Sequence, residues 1–98
     1  MKTHHSNKYF IYYLLKMDLF NKYQEKYSIY MNSLTNDIEE IRKSIHHPQC
    51  PDYIRDTLYS TLRLLQEKHK DYVYQHNLIL QDPQHYERTM IQFLDNVG

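Results

Sequence analysis

The residues best suited to chemistry in this chain are its histidines and its lone cysteine. His46-His47-Pro48-Gln49-Cys50 places three metal-ligating side chains within five positions. Histidine and cysteine bind zinc, and structural zinc sites take two such ligands from one short loop. A closed site needs four ligands, however, and Cys50 is the chain's single cysteine. The other histidines would have to come from distant positions. The expectation is therefore a polar hinge at 46–51, with no metal and no other cofactor. Cys50 as a nucleophile would need an oriented base and an oxyanion-binding loop. No acid is placed to orient His46 or His47, and the only Gly is Gly98. No paired-carboxylate, Ser-His-Asp, phosphate-loop or dinucleotide motif is present. The chain is read as non-enzymatic.

His69 and His76 form a second constellation. They are seven apart with Tyr72 between them, so all three lie on one helix face. Imidazole changes charge near neutral pH, and charging it inside a helix interface is costly. The pair is a candidate pH-sensitive seam. A metal reading would add a third ligand such as His85. The plainer reading has both rings neutral and hydrogen-bonded to Tyr or Gln24 across the seam.

The 11 tyrosines raise the question of nucleobase stacking. Stacking platforms sit beside a basic groove, and here 12 Lys and Arg balance 12 Asp and Glu. That balance argues against nucleic acid. Tyrosine also suits protein interfaces, where it offers a large face and a polar tip.

The elements that carry these residues follow from the spacing. Between Lys8 and Ile45 there is neither Pro nor Gly. Phe10, Tyr13, Met17, Phe20, Gln24, Tyr27, Met31, Leu34, Ile38, Ile41 and Ile45 recur at alternating steps of three and four, a seam of 3.5-residue period. The spacing predicts one helix over 8–45, about 57 Å long at 1.5 Å per residue. Residues 1–7 read as a flexible start. Pro48 and Pro51 end the first helix, and Pro51 with Asp52 suits the first turn of the next. A second helix over 52–80 carries Leu58, Leu62, Leu65, His69, Tyr72, His76 and Ile79, flanked by Ile54, Tyr59, Val73 and Leu80. Asp82-Pro83 predicts a third helix over 83–97, with Tyr86, Met90, Phe93, Leu94 and Val97 on its apolar face.

The fold class read from this pattern is all-α. It is a long antiparallel, coiled-coil-like hairpin with a short third helix packed on it, forming one domain over 8–98. The apolar run Tyr9–Leu15 is too short to span a bilayer and lacks a cleavage site, so a cytoplasmic protein is expected. The preponderance of Phe, Tyr, Met, Ile, Asn and Lys over Gly, Ala, Arg and Pro suggests AT-rich coding DNA.

That same run contains no charge and no small polar residue, so the first helix is apolar all round where it begins. Such a helix must be buried by something. Tyr9, Ile11, Tyr12, Leu15 and Leu19 are therefore the expected partner-binding residues. The partner is a protein helix or a second copy, and the function expected is that of a chaperone-like or adaptor-like interaction protein. The rival is a small regulator or inhibitor of a nucleic-acid enzyme, or a nucleic-acid binder. A toxin or bacteriocin immunity protein is a further alternative.

The Pro-containing turn, Tyr53 at the head of the second helix and the following Thr57-Leu58 resemble the small helical co-chaperones of type III secretion needle subunits, over about residues 31–77. The resemblance implies a cytoplasmic protein that masks an aggregation-prone secreted helix. The N-terminal stretch and the third helix depart from that family. Bacteriocin-immunity proteins are a looser likeness, without a matching motif.

Overall fold

A computed structural model describes the backbone of residues 2–97 and the side chains of residues 15–97. The chain is all-α: α1 is Lys2–Ile45, α2 is Asp52–Gln81 and α3 is Glu87–Val97. There is no strand among the described residues. No helix of the described chain is long and apolar enough to cross a membrane.

Helix α1 is continuous through Asn32-Ser33, as the unbroken seam requires. Its helical backbone extends to Lys2, six positions before the expected start at 8. Arg42 and Lys43 lie in its last turn, where they favour the helix dipole. Helix α2 ends at Gln81, one residue past expectation.

The third helix departs from its expected span of 83–97. Residues Pro83–Tyr86 form a separate turn, and α3 begins only at Glu87. Asp82 does cap this turn: its Oδ1 accepts from the His85 N–H at 3.2 Å, and its carbonyl accepts from the Tyr86 N–H at 3.3 Å. The ladder of α3 then starts afresh, with the Met90 N–H donating to the Tyr86 carbonyl at 3.1 Å. Tyr86, and not Asp82, is thus the half-in residue at the head of α3.

The chain divides into two compact units, Met1–Ser28 with Leu78–Gly98, and Ile29–Asn77. In the second unit α1 and α2 run antiparallel. Tyr30 meets Tyr72 with ring centroids 5.3 Å apart, while Glu40 and Lys43 share a surface depression with Ile54 and Leu58. Met31, Leu34, Ile38 and Ile45 are its buried residues, all from the α1 seam. Leu58, Leu62, Leu65, His69, Tyr72 and His76 answer from α2 as half-buried side chains.

In the first unit α3 runs parallel to the segment of α1 it covers. Lys16 pairs with Glu87, Leu19 and Met90 line one small cavity, and Tyr23 and Tyr27 hold Phe93. The register is an offset of about seventy residues along all three contacts. Tyr23, Ile79, Met90 and Phe93 are buried there.

The expected seam fails at two positions of α1. Gln24 is exposed, and its neighbour Tyr23 is only 1% accessible. Met17 is also exposed, while Lys16 is half-buried. From Tyr27 toward the N-terminus the inward stripe therefore runs 27, 23, 20 and 19, 16. A straight α-helix drifts about 20° per heptad against a strict 3.5 repeat, and here the covering element is α3. The wide α2 face is corrected in the same way: Ile54, Tyr59 and Leu80 are exposed, and only Val73 of that stripe is half-buried.

Candidate functional site

The hinge is built from its own backbone. The Cys50 N–H donates to the His47 carbonyl at 3.1 Å, and the Gln49 N–H donates to His47 Nδ1 at 3.1 Å. One imidazole nitrogen of His47 is thus already used in shaping the turn. Cys50 is half-buried, with its Sγ 3.7 Å from the Pro51 carbonyl oxygen. No group of three or more His, Cys, Asp or Glu side chains is placed to hold a metal ion among the described residues.

Arg55 fastens this turn, a role with no motif in the sequence. Its guanidinium donates to the Cys50 carbonyl at 3.1 Å and to Asp52 Oδ1 at 3.2 Å. Arginine suits the task because its fixed fork reaches two acceptors at once. Beside it lies an open depression of about 610 Å³, lined among others by Glu40, Lys43, His47, Cys50, Ile54 and Leu58. Tyr53, in the first turn of α2, has 75% of its surface accessible.

His69 and His76 both lie in the second unit and both are half-buried. His69 lines a shallow groove of about 230 Å³ with Thr35, Ile38, Glu39, Arg42 and Gln66. Glu39 and Arg42 in that groove form an ion pair at 3.1 Å. Burial pushes the His76 imidazole below its ordinary value, because its charged form loses water. His85, the third ligand of the metal reading, instead sits in the Asp82 turn with its ring 4.7 Å from that of Tyr86. Between the two histidines, Tyr72 meets Tyr30 edge-on at 77°. Lys68 Nζ lies 5.7 Å from the Tyr30 ring centroid. A hydrogen bond to the Tyr30 side chain holds Lys68 above the usual lysine range.

Of the expected partner-binding residues, the side chains of Tyr9, Ile11 and Tyr12 lie outside the described residues. Leu15 is 63% accessible. Leu19 is half-buried under the chain's own turn, in a small cavity with Lys16, Pro83, Gln84, Glu87 and Met90. The register explains the difference. The head of α3 is level with Lys16, so α3 covers Leu19 and Tyr23 and leaves Leu15 before its start.

Tyr23 is the residue that sequence reasoning missed. It is the hub of an aromatic cluster with Tyr27, at 5.8 Å, and Phe93, at 5.3 Å. Burial raises both tyrosine hydroxyls above the ordinary phenol range, with the neighbouring Tyr27 adding to the shift at Tyr23. The available signal was Gln24, the single polar member of the seam, with an aromatic residue next to it.

Ten large apolar or aromatic side chains are exposed among the described residues, against eight that are buried. In the second unit the exposed ones are Ile29, Tyr53, Ile54, Tyr59, Leu64 and Tyr74. No protein-family model, characterised protein or solved structure matches this chain.

Proposed function

We propose that this protein is a non-enzymatic interaction protein that works by pairing helix surface with a second copy or with a partner helix. The observation that carries the reading is that, among the described residues, more large apolar side chains are exposed than fully buried. An amphipathic helix face left in water is an association surface waiting for cover. Leu15 supports the position chosen from sequence, since it is exposed at the edge of the α3-covered segment.

The charges favour this reading over a nucleic-acid binder. Lys16, Lys22, Arg42 and Arg55 are each tied to a carboxylate, at 3.2–3.7 Å for the lysines and 3.1–3.2 Å for the arginines. These four basic side chains, interleaved with acids, are not part of a stripe of the kind that tracks a phosphate backbone.

The test is the double variant Ile11→Glu with Leu15→Glu, whose positions are four apart and share one face. Light scattering should show weaker assembly than wild type, while circular dichroism shows similar helix content. Equal assembly of the two proteins would overturn this surface as the site of pairing.

A further inference from the structure

We infer that α3 is an exchangeable strap, and that the α1 groove it fills in its own chain is also the docking site for α3 of a second copy. This rests on the proposed self-association and adds to it a second surface, separate from Ile11 and Leu15.

The first ground is the weakness of α3 as a free element. It has 11 residues, and isolated helices shorter than about 12–15 residues are marginal in water. It is held by what it touches. Among the described residues, a charged tie to α1 is the Lys16–Glu87 pair at 3.7 Å, with the two side chains 26% and 40% accessible. Partly exposed pairs of this kind contribute little. Asp82 caps only the turn before α3, so it does not fasten α3 to α1.

The second ground is the way α3 docks. Tyr86, Met90, Phe93 and Val97 repeat at four, three and four, the anchor spacing of a helix laid into an apolar groove. Met90 and Phe93 are 2% and 3% accessible. Phe93 stands edge-on to Tyr23 and tilted against Tyr27, at 5.3 and 6.0 Å. The charged, apolar and aromatic contacts keep one register along α1, from Lys16 through Leu19 to Tyr23 and Tyr27. That makes the groove complementary to this helix along its length. A second copy carries the same helix, so every contact made within one chain can be made between two. The exposed Ile91, on the far side of α3 from Phe93, stays available in either arrangement.

The third ground is the connection. The five residues Asp82–Tyr86 leave α2 and enter α3 as a turn separate from both helices. Opening that turn breaks neither the α1 nor the α2 ladder. The strap can therefore leave its groove while the Ile29–Asn77 hairpin keeps its own core.

The experiment uses the full chain and a fluorescent synthetic peptide of residues 82–98. Apparent affinity for a competent state falls by the fraction of molecules in that state, so a chain that holds its own α3 more weakly should bind the peptide more tightly. Full-length Phe93→Ala should bind the wild-type peptide at least about tenfold more tightly than the wild-type chain does. A peptide carrying the same substitution should bind neither chain. Hydrogen exchange on the wild-type chain gives a second reading that needs no variant. Amides of Met90–Val97 should exchange at least about tenfold faster than those of Leu34–Ile45, because the strap opens locally. Failure of the peptide to bind either chain, or equal protection of the two segments, overturns the exchange. If assembly still responds to Ile11→Glu and Leu15→Glu in that case, the proposed function stands and only the strap is lost.

Discussion

The edge of one aromatic ring rests on another where α3 meets α1: Phe93 and Tyr23 have centroids 5.3 Å apart and planes at 76°. Edge-to-face pairs of this kind add about 0.5–1.5 kcal/mol beyond the area they bury. Tyr23 and Phe93 are both almost inaccessible, so either truncation leaves a hole in the first unit.

Tyr23→Ala should therefore cost about 3–5 kcal/mol, the range for a buried aromatic residue. Gln24→Ala, at the position that the 3.5 repeat assigns to the seam, should stay within about 0.5 kcal/mol of wild type. Urea denaturation of the two variants decides which residue faces inward. Equal losses would restore the unbroken seam.

The sequence was informative about this fold where one rule governed a whole stretch. Met31, Leu34, Ile38 and Ile45 obey the three-four alternation and are buried, because a single antiparallel partner covers that part of α1. The same alternation misplaces Tyr23 and Gln24, because there the inward direction is set by α3, an element seventy residues away. The Asp82-Pro83 pair predicts a helix from Pro83, but the Asp82 cap closes one turn and Tyr86 begins another. Arg55 carried no signal at all, since its acceptors are a backbone carbonyl and a neighbouring Asp that any helix start could offer.

Arg55→Ala should loosen the hinge by about 1–2 kcal/mol, around and below the lower end of the range for charged hydrogen bonds because the group is partly exposed. Arg55→Lys should recover little, because a lysine lacks the fork that reaches both acceptors. Thermal denaturation with exchange measured at residues 46–52 checks both variants.

Cys50→Ser should change stability by less than about 0.5 kcal/mol, and added chelator should leave the melting temperature where it is. A drop of several degrees with chelator would show that His46, His47 and Cys50 hold a metal.

Acid should weaken the fold through His76. Its folded pKa lies below the ordinary imidazole value, so the unfolded chain binds the proton more readily. The stability from the neutral ring is full above about pH 6.5 and is lost as pH falls below that value. His76→Gln should flatten the pH dependence between about pH 7.5 and 5.5. At the alkaline end Tyr23 acts with the opposite sign. Its folded pKa is raised by burial, so its contribution is complete below about pH 10 and is lost above it. Denaturation midpoints across both ranges, with the variant beside wild type, check the two signs.

The central claim is that exposed helix surface exists to be paired, and sedimentation equilibrium of the unmodified chain tests it most directly. A monomer has a mass of 12.2 kDa. Across a concentration series from about 5 to 500 μM, spanning the weak end of specific association, the fitted mass should climb toward twice the monomer value. A mass that stays at the monomer value throughout would contradict pairing with a second copy, on which the strap exchange also rests.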